Sequence, residues 1–224
     1  MEPLAAPTPR RSFLQRFAAG TAALLAGGTA TAHAAPAFRP SATPRRSDDA
    51  WLDRITGEHR QVFDLVEPNK GFGAAYALNY RDSYMEAHGV SGEDVTAVIV
   101  FRHFAMPLVV GDEVWAKYPI GAFIGVNDPE TEAPATRNVF HDNIMMRPGL
   151  TYAQLAAEPG IVVVACNLAL TVLSSLIGQQ AGISAEEAKA DWEAGLFPGV
   201  TLAPSGVYAV NRAQEHGCTY CYGG

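Results

Sequence analysis

The chain has 224 residues, with 16 basic and 23 acidic side chains and a formal net charge of −7 at neutral pH. Its residues are 48% hydrophobic, so the chain is long and apolar enough to bury a sizeable core. An acidic chain without a basic stripe is not expected to bind nucleic acid or an anionic membrane surface.

The first residues have the three parts of a twin-arginine (Tat) export signal in the expected order. Residues 9–15, which hold Arg10 and Arg11, match the motif, and a modest apolar stretch follows to about residue 32. Residues 32–34 then resemble an A-x-A cleavage site, with 30–32 as a competing cut. The alternative is an amphipathic N-terminal helix.

We therefore predict a Tat signal peptide over 1–34, a flexible linker over 35–50 and one domain over 51–224. The Tat translocon is the expected partner during export, and the destination is periplasmic or secreted. No later apolar run approaches the roughly 20 residues that a membrane-spanning helix needs, so no membrane span is predicted in the mature protein.

Strands and helices are predicted to alternate through the rest of the chain. Apolar strands are predicted over 61–66, 95–101, 161–166, 200–203 and 218–222. Helices are predicted over 72–87, 104–118, 151–157 and 167–180, from Ser184 onward, and over 205–215. Strands that are apolar throughout indicate burial on both faces, which is typical of a parallel sheet in a three-layer α/β/α domain.

The segment 119–149 is long and irregular for a compact domain, which is typical of a functional or mobile loop. It contains Arg137, Asn138, His141 and Asn143. These side chains would contact a ligand if the segment folds over the site as a lid. The alternatives are a surface insertion or an oligomer contact.

Cys166 lies between a predicted buried strand and a predicted helix. This position places it at the carboxyl end of the sheet and at a helix N-terminus, where amide groups and the helix dipole favour a thiolate. Cys166 is therefore the first candidate for a catalytic nucleophile. The alternative is a small buried hydrophobe, since free cysteine is often fully buried.

Three further residues are candidates for the same edge of the sheet. His103 follows the second strand, so it would pair with Cys166, contact a ligand or be a partly buried loop histidine. Arg102 would bind an anion or be a solvated charge. Asn167 would orient a ligand or, as the favoured alternative, cap the helix that it opens.

Cys218 and Cys221 form a Cys-x-x-Cys motif near the C-terminus. The motif is typical of a redox disulfide or of half a metal site. Positions i and i+3 of a strand point to opposite faces, so a local disulfide would require a turn here. A structural role, or pairing of one thiol with Cys166, also remains open. No cofactor is predicted.

Two segments resemble the DsrE/DsrF-like family. One is Ile161–Leu170, a hydrophobic strand followed by Ala-Cys-Asn and a helix; the other is the ending, with Pro198-Gly199-Val200, Pro204-Ser205-Gly206-Val207 and an aromatic strand. The resemblance covers roughly residues 60–222. It implies a flavodoxin-like, mostly parallel sheet of about five strands, a homo-oligomer, and Cys166 as a thiolate that accepts persulfide sulfur in a sulfur relay.

Two other functions remain open beside sulfur-carrier or thiol-redox activity, and so does the question of whether the protein is an enzyme. One is a non-catalytic, oligomeric protein that binds a small ligand at the same crevice. The other is metal binding at Cys218 and Cys221.

Overall fold

The computed structural model describes residues 46–142 and 144–224. The predicted signal peptide, and the predicted linker as far as residue 45, lie outside the described residues. The last linker residues belong to a 3-10 helix, Arg46–Arg54. Asp49 in this helix accepts a hydrogen bond of 2.9 Å from the hydroxyl of Tyr208. The folded domain therefore begins a few residues before position 51.

Five parallel strands form one sheet in the described part of the chain. They are β1 (His59–Leu65), β2 (Val95–Phe101), β3 (Ile161–Cys166), β4 (Thr201–Ala203) and β5 (Thr219–Tyr222). The predicted three-layer, flavodoxin-like arrangement is confirmed. The strand order is β4-β3-β2-β1-β5, whereas flavodoxin itself has the order 2-1-3-4-5.

Helical segments connect the strands, and those near 72–87, 167–180, 184 onward and 205–215 are close to the predicted positions. The α-helices are α1 (Phe72–His88), α2 (Asp112–Lys117), α3 (Ile120–Ile124), α4 (Asn167–Gln180), α5 (Ala185–Ala194) and α6 (Gly206–Glu215). Short 3-10 helices span Asn69–Gly71, Gly92–Asp94, His103–Val109 and Tyr152–Ala157. The predicted caps are confirmed, because the hydroxyls of Ser184 and Ser205 accept amide hydrogen bonds from Glu187 and Tyr208. Among the helices described, none is both long and apolar enough to cross a membrane.

The prediction of one helix over 104–118 is wrong. The 3-10 helix His103–Val109 ends at Val110, which pairs with Leu196 in an isolated antiparallel bridge. Gly111 is extended, and α2 begins only at Asp112. The bridge to Leu196 holds the backbone extended where a continuous helix would need a further turn, which accounts for the interruption.

The sheet is covered on both faces, and alternate side chains of each strand point to opposite sides. The front face, which includes Ile99, is packed by α1, α4 and α5. The back face, which includes Val98, is packed by α6 and by the 3-10 helix Arg46–Arg54. Every residue of β2 is buried, as expected for the centre of a parallel sheet.

The connections that follow the strands change once from the front face of the sheet to the back face. The segments that follow β1, β2 and β3 pack on the front face, whereas α6, which follows β4, packs on the back face. Neighbouring strands whose connections leave in opposite directions define a topological switch point, the usual position of a ligand crevice in an open α/β sheet. Here the switch point lies between β3 and β4.

Gly160 is the residue that most restricts the start of β3. Its φ is +72°, and a Cβ atom there would lie 2.1 Å from the carbonyl oxygen of Val95 and 2.2 Å from that of Gly92. We expect Gly160→Ala to lower the free energy of unfolding by about 3 kcal/mol, because it adds a backbone clash to the strain of a positive φ. Urea unfolding followed by the fluorescence of the three buried tryptophans measures the loss.

Gly182→Ala is the matched control. Gly182 has a φ of +73°, but a Cβ atom there meets nothing within 4 Å. In this variant the free energy of unfolding should fall by only about 1 kcal/mol, because alanine is strained at a positive φ but meets no clash there. Equal losses in the two variants would contradict the close approach of β2 to the start of β3.

Candidate functional site

A pocket of about 390 Å³ opens at the switch point, at the carboxyl end of the sheet. Arg102 and His103 line it from the end of β2, and Cys166 lines it from the end of β3. Ser205 and Gly206 line it from the start of α6. Three residues predicted from the sequence, Cys166, His103 and Arg102, are thus brought to one cavity.

The rest of the pocket wall is mostly apolar. Along α4, the side chains of Leu168, Val172 and Leu176 follow one another at intervals of one turn, and they are 42%, 46% and 46% exposed. Aromatic and aliphatic side chains from other elements complete the wall: Phe104, Phe123 and Val207. Sequence reasoning missed these residues. The sequence feature that could have indicated them is that α4 carries apolar residues on its outer face as well as on its inner face.

Cys166 is the N-cap of α4. Its φ of −79° and ψ of 108° are non-helical, and its Sγ accepts a hydrogen bond of 3.2 Å from the amide of Ala169. The side chain is only 5% exposed and borders the pocket. An amide donor and the pocket wall thus meet at this one sulfur atom.

Asn167 does not cap the helix, contrary to the favoured prediction. The β3 strand continues through Cys166, which takes the capping position, and Asn167 becomes the first residue of α4. Asn167 is not among the residues that line the pocket. Its Oδ1 is buried and has no hydrogen-bond partner among the described residues. The structure therefore does not bring Asn167 to the pocket with Cys166.

His103 borders the pocket but faces another partner. Its Nδ1 lies 3.3 Å from an Oε1 of Glu67, and its ring stands 4.1 Å from that of Phe104, measured between centroids. Within the described residues, no hydrogen bond joins His103 to Cys166. The predicted pair is thus absent, and the half-exposed imidazole forms part of the pocket rim.

Arg102 is held in place by a buried carboxylate. Its Nε and Nη2 donate to the two oxygens of Asp64 at 2.6 and 2.9 Å, and the hydroxyl of Tyr220 donates to the same carboxylate at 2.9 Å. Asp64 is 3% exposed. The hydrogen bond to Asp64 raises the pKa of Arg102 above its ordinary value. Arg102 is therefore a fixed cation at the pocket, not a freely solvated one.

Sequence reasoning also missed Asp64 and the role of Gly206. The available signal for Asp64 was a single acidic residue in the apolar part of β1. Gly206 lies against the stem of Arg102, since a Cβ atom at Gly206 would be 2.4 Å from the Cβ of Arg102. The absence of a side chain at the start of α6 allows this approach.

The segment 119–149 does not cover the pocket as a lid. Ala135, Phe140 and Ile144 are buried in the front core. The ring of His141 packs against Phe197 at 4.8 Å between centroids, and His141 does not line the pocket. His141 thus lies away from the pocket that Cys166 borders, and Asn143 lies outside the described residues. Within this segment, Phe123 supplies the pocket contact.

Asn138 and Arg137 have structural partners as well. The amide of Asn138 donates to the carbonyl oxygens of Leu108 and Val110 at 2.9 Å each. Arg137 donates to Asp128 at 2.7 Å. These contacts attach the segment to the domain surface and leave neither side chain at the pocket.

The two C-terminal cysteines do not form the predicted redox pair. Cys218 is buried in the back core, whereas Cys221 is in β5 beside Phe63 and packs on the front core. Because they lie on opposite faces, they neither form a disulfide nor ligate one ion together. Burial raises the pKa of Cys218 to about 11 and also raises that of Cys221.

Neither C-terminal thiol reaches Cys166. Three strand spacings separate β3 from β5, a distance of about 14 Å. Cys218 lies just before β5, at the opposite end of the sheet from the pocket. Over the described residues there is also no group of three or more His, Cys, Asp or Glu side chains that could hold a metal ion.

Comparisons with known proteins add no assignment. No family model, curated protein or solved structure matches the chain. The pocket and its side chains are therefore the basis for functional inference.

The carboxylate of Asp64 should make Arg102 important for stability. We expect Arg102→Met to lower the free energy of unfolding by about 3 kcal/mol, because it leaves a buried carboxylate without its cation. Tyr220→Phe removes one hydrogen bond from the same carboxylate and should cost about 1 kcal/mol. Urea unfolding at neutral pH measures both. A loss below 1 kcal/mol in Arg102→Met would show that the ion pair is not a structural element.

Proposed function

We propose that the chain is a sulfur-carrier or thiol-redox protein similar to the DsrE/DsrF-like family, with Cys166 as its nucleophile. The observation that carries the proposal is the place of Cys166: it caps α4, accepts an amide hydrogen bond at Sγ and borders the pocket at the switch point. A nucleophilic thiol needs both stabilisation of the thiolate and access for a substrate, and this position offers both.

The proposed reaction is the transfer of one sulfur atom. The Cys166 thiolate attacks the terminal sulfur of a donor persulfide, R–S–SH. A bond forms between Sγ and that sulfur, the donor S–S bond breaks, and R–S⁻ leaves with the electron pair. The proton stays on the transferred sulfur, so Cys166 becomes a persulfide and no external oxidant or reductant is needed.

Arg102 and the two helix starts would stabilise the anionic sulfur species. Nε and Nη2 of Arg102 face Asp64, and its Nη1 has no hydrogen-bond partner among the described residues. The guanidinium is fixed beside the pocket, so it does not lose further side-chain freedom when an anion arrives. The starts of α4 and α6 also direct partial positive charge toward the pocket.

The sulfur on Cys166 would leave to a thiol outside this chain. The thiols of Cys218 and Cys221 lie on other parts of the sheet and are buried or partly buried, so they are poor resolving groups. An external acceptor thiolate would attack the outer sulfur of the Cys166 persulfide and regenerate the Cys166 thiolate. A sulfur carrier accepts the sulfur atom from one molecule and passes it to another. A thiol oxidoreductase with its own resolving cysteine would instead form a disulfide within the chain.

A non-catalytic ligand-binding protein is the second candidate. A cavity of about 390 Å³ with a mostly apolar wall and a few polar groups has the size and character of a small-molecule site. In that case Cys166 would serve as a small wall residue and a helix cap. The homo-oligomer implied by the family resemblance belongs to both candidate functions.

Alkylation distinguishes the two candidates. In folded, reduced protein at pH 7.5, we expect iodoacetamide to label Cys166 at least about ten times faster than Cys218, because only Cys166 combines pocket access with an amide donor at sulfur. Mass spectrometry of the digested protein reports each site, and Cys166→Ser identifies the fast phase. Labelling of Cys166 only after unfolding would leave the ligand-binding candidate in place and remove the nucleophile.

Export by the Tat pathway is part of the proposal and rests on the sequence of residues 9–34. We expect the double variant Arg10→Lys/Arg11→Lys to keep the full-length chain in the cytoplasm, because the arginine pair is the recognised part of the motif. Cell fractionation and immunoblotting would detect it. Arg16→Lys, outside the motif, is the control and should be processed and exported like the unaltered chain. Normal export of the double variant would contradict the proposal.

A further inference from the structure

The pocket has one reactive end and one long apolar side. Cys166, Arg102 and Ser205 lie where the strands end, and from there the ridge of Leu168, Val172 and Leu176 runs along α4. Eight residues of helix separate the first and last of these side chains, a distance of about 12 Å. A ligand that reaches Sγ therefore has an apolar surface beside the rest of its length.

The ridge is exposed although its side chains are aliphatic. Leu168, Val172 and Leu176 are each more than 40% exposed, and Val207 on α6 is 65% exposed. Single exposed apolar residues are ordinary on a protein surface, but a contiguous apolar patch beside a cavity indicates a binding surface. The patch continues directly into the pocket that ends at Cys166.

The charge of the pocket differs from that of the chain. The sequence has 23 acidic and 16 basic residues, yet no Asp or Glu is among the side chains that line the pocket. The lining does include Arg102 and the rim imidazole of His103. The reactive end is therefore complementary to a negatively charged sulfur, and the remainder of the wall is complementary to an uncharged apolar body.

From this arrangement we infer that the pocket takes organic thiols or hydropersulfides with an apolar body, and that their carbon chain lies along the ridge of α4. The inference rests on the proposed function of Cys166 and narrows it to a substrate class. A small peptide thiol such as glutathione carries charged groups along its length, and the apolar ridge offers them no partners. A cavity of about 390 Å³ accommodates one such small molecule.

Alkyl methanethiosulfonates of increasing chain length test the inference on the full chain. The Cys166 thiolate attacks the sulfenyl sulfur, a mixed disulfide forms, and methanesulfinate leaves with the electron pair. The ratio of the hexyl to the methyl rate is measured for Cys166 and for free cysteine. We expect the ratio for Cys166 to be about ten times the ratio for free cysteine. Each buried methylene adds favourable transfer free energy.

A pair of matched variants locates the effect. Val172→Asp places a carboxylate on the ridge and should bring the hexyl-to-methyl ratio close to that of free cysteine. Met85→Asp alters a side chain on α1 that is similarly exposed, at 40%, and lies outside the pocket lining, so it should keep the ratio of the unaltered chain. Leu176→Asp, one turn farther from Cys166, provides a second ridge variant if Val172→Asp does not fold.

The possible failures are distinguishable. If the methyl reagent modifies Cys166 rapidly but chain length has no effect, the inference is overturned and the proposed nucleophile stands. If no reagent modifies Cys166 in the folded protein, the proposed function itself fails. If light scattering shows an oligomer that Val172→Asp dissociates, and chain length has no effect, the ridge binds a second copy and the inference is again overturned.

Discussion

The burial of β2 on both faces is the constraint from which the rest of the fold follows. All seven of its residues are inaccessible to solvent, so both sides of the sheet need a layer of helices. The 3-10 helix Arg46–Arg54 covers part of the back face, the segments after β1, β2 and β3 form the front layer, and the chain returns to the back face only after β4. This single change separates the starts of α4 and α6, and the space between them is the pocket. The cavity is thus a product of the connectivity of the sheet.

The ion pair between Asp64 and Arg102 holds together the elements that meet at the carboxyl end of the sheet. It joins the end of β1 to the end of β2, and Tyr220 adds β5 to the same network. Gly206 brings the first turn of α6 against the arginine stem. Four elements therefore meet at this ion pair. The main effect of this ion pair is to fix the positions of the surrounding elements. Its net contribution to the free energy of unfolding is small, because desolvation of the two charges offsets much of their Coulomb attraction.

Local patterns predicted the layers and the place of Cys166 between a strand and a helix, because apolar strand runs and capping residues act over a few residues. They did not predict what depends on tertiary partners. The bridge from Val110 to Leu196 interrupts a helix that the local sequence favours. The partner of Asp64 is 38 residues away. The outward apolar face of α4 could be recognised from its sequence, but the pocket beside that face depends on the direction in which α6 leaves the sheet.

Trp51 limits where the chain can be cut without damage to the fold. It belongs to the short 3-10 helix that, with α6, covers the back face, where Val62 and Val98 would otherwise contact water. The domain therefore uses residues that immediately follow the proline-containing stretch as part of its core. A protease that cut within this helix would uncover the strands and not merely shorten a tether. The integrity of the back layer thus depends on residues that precede the first strand.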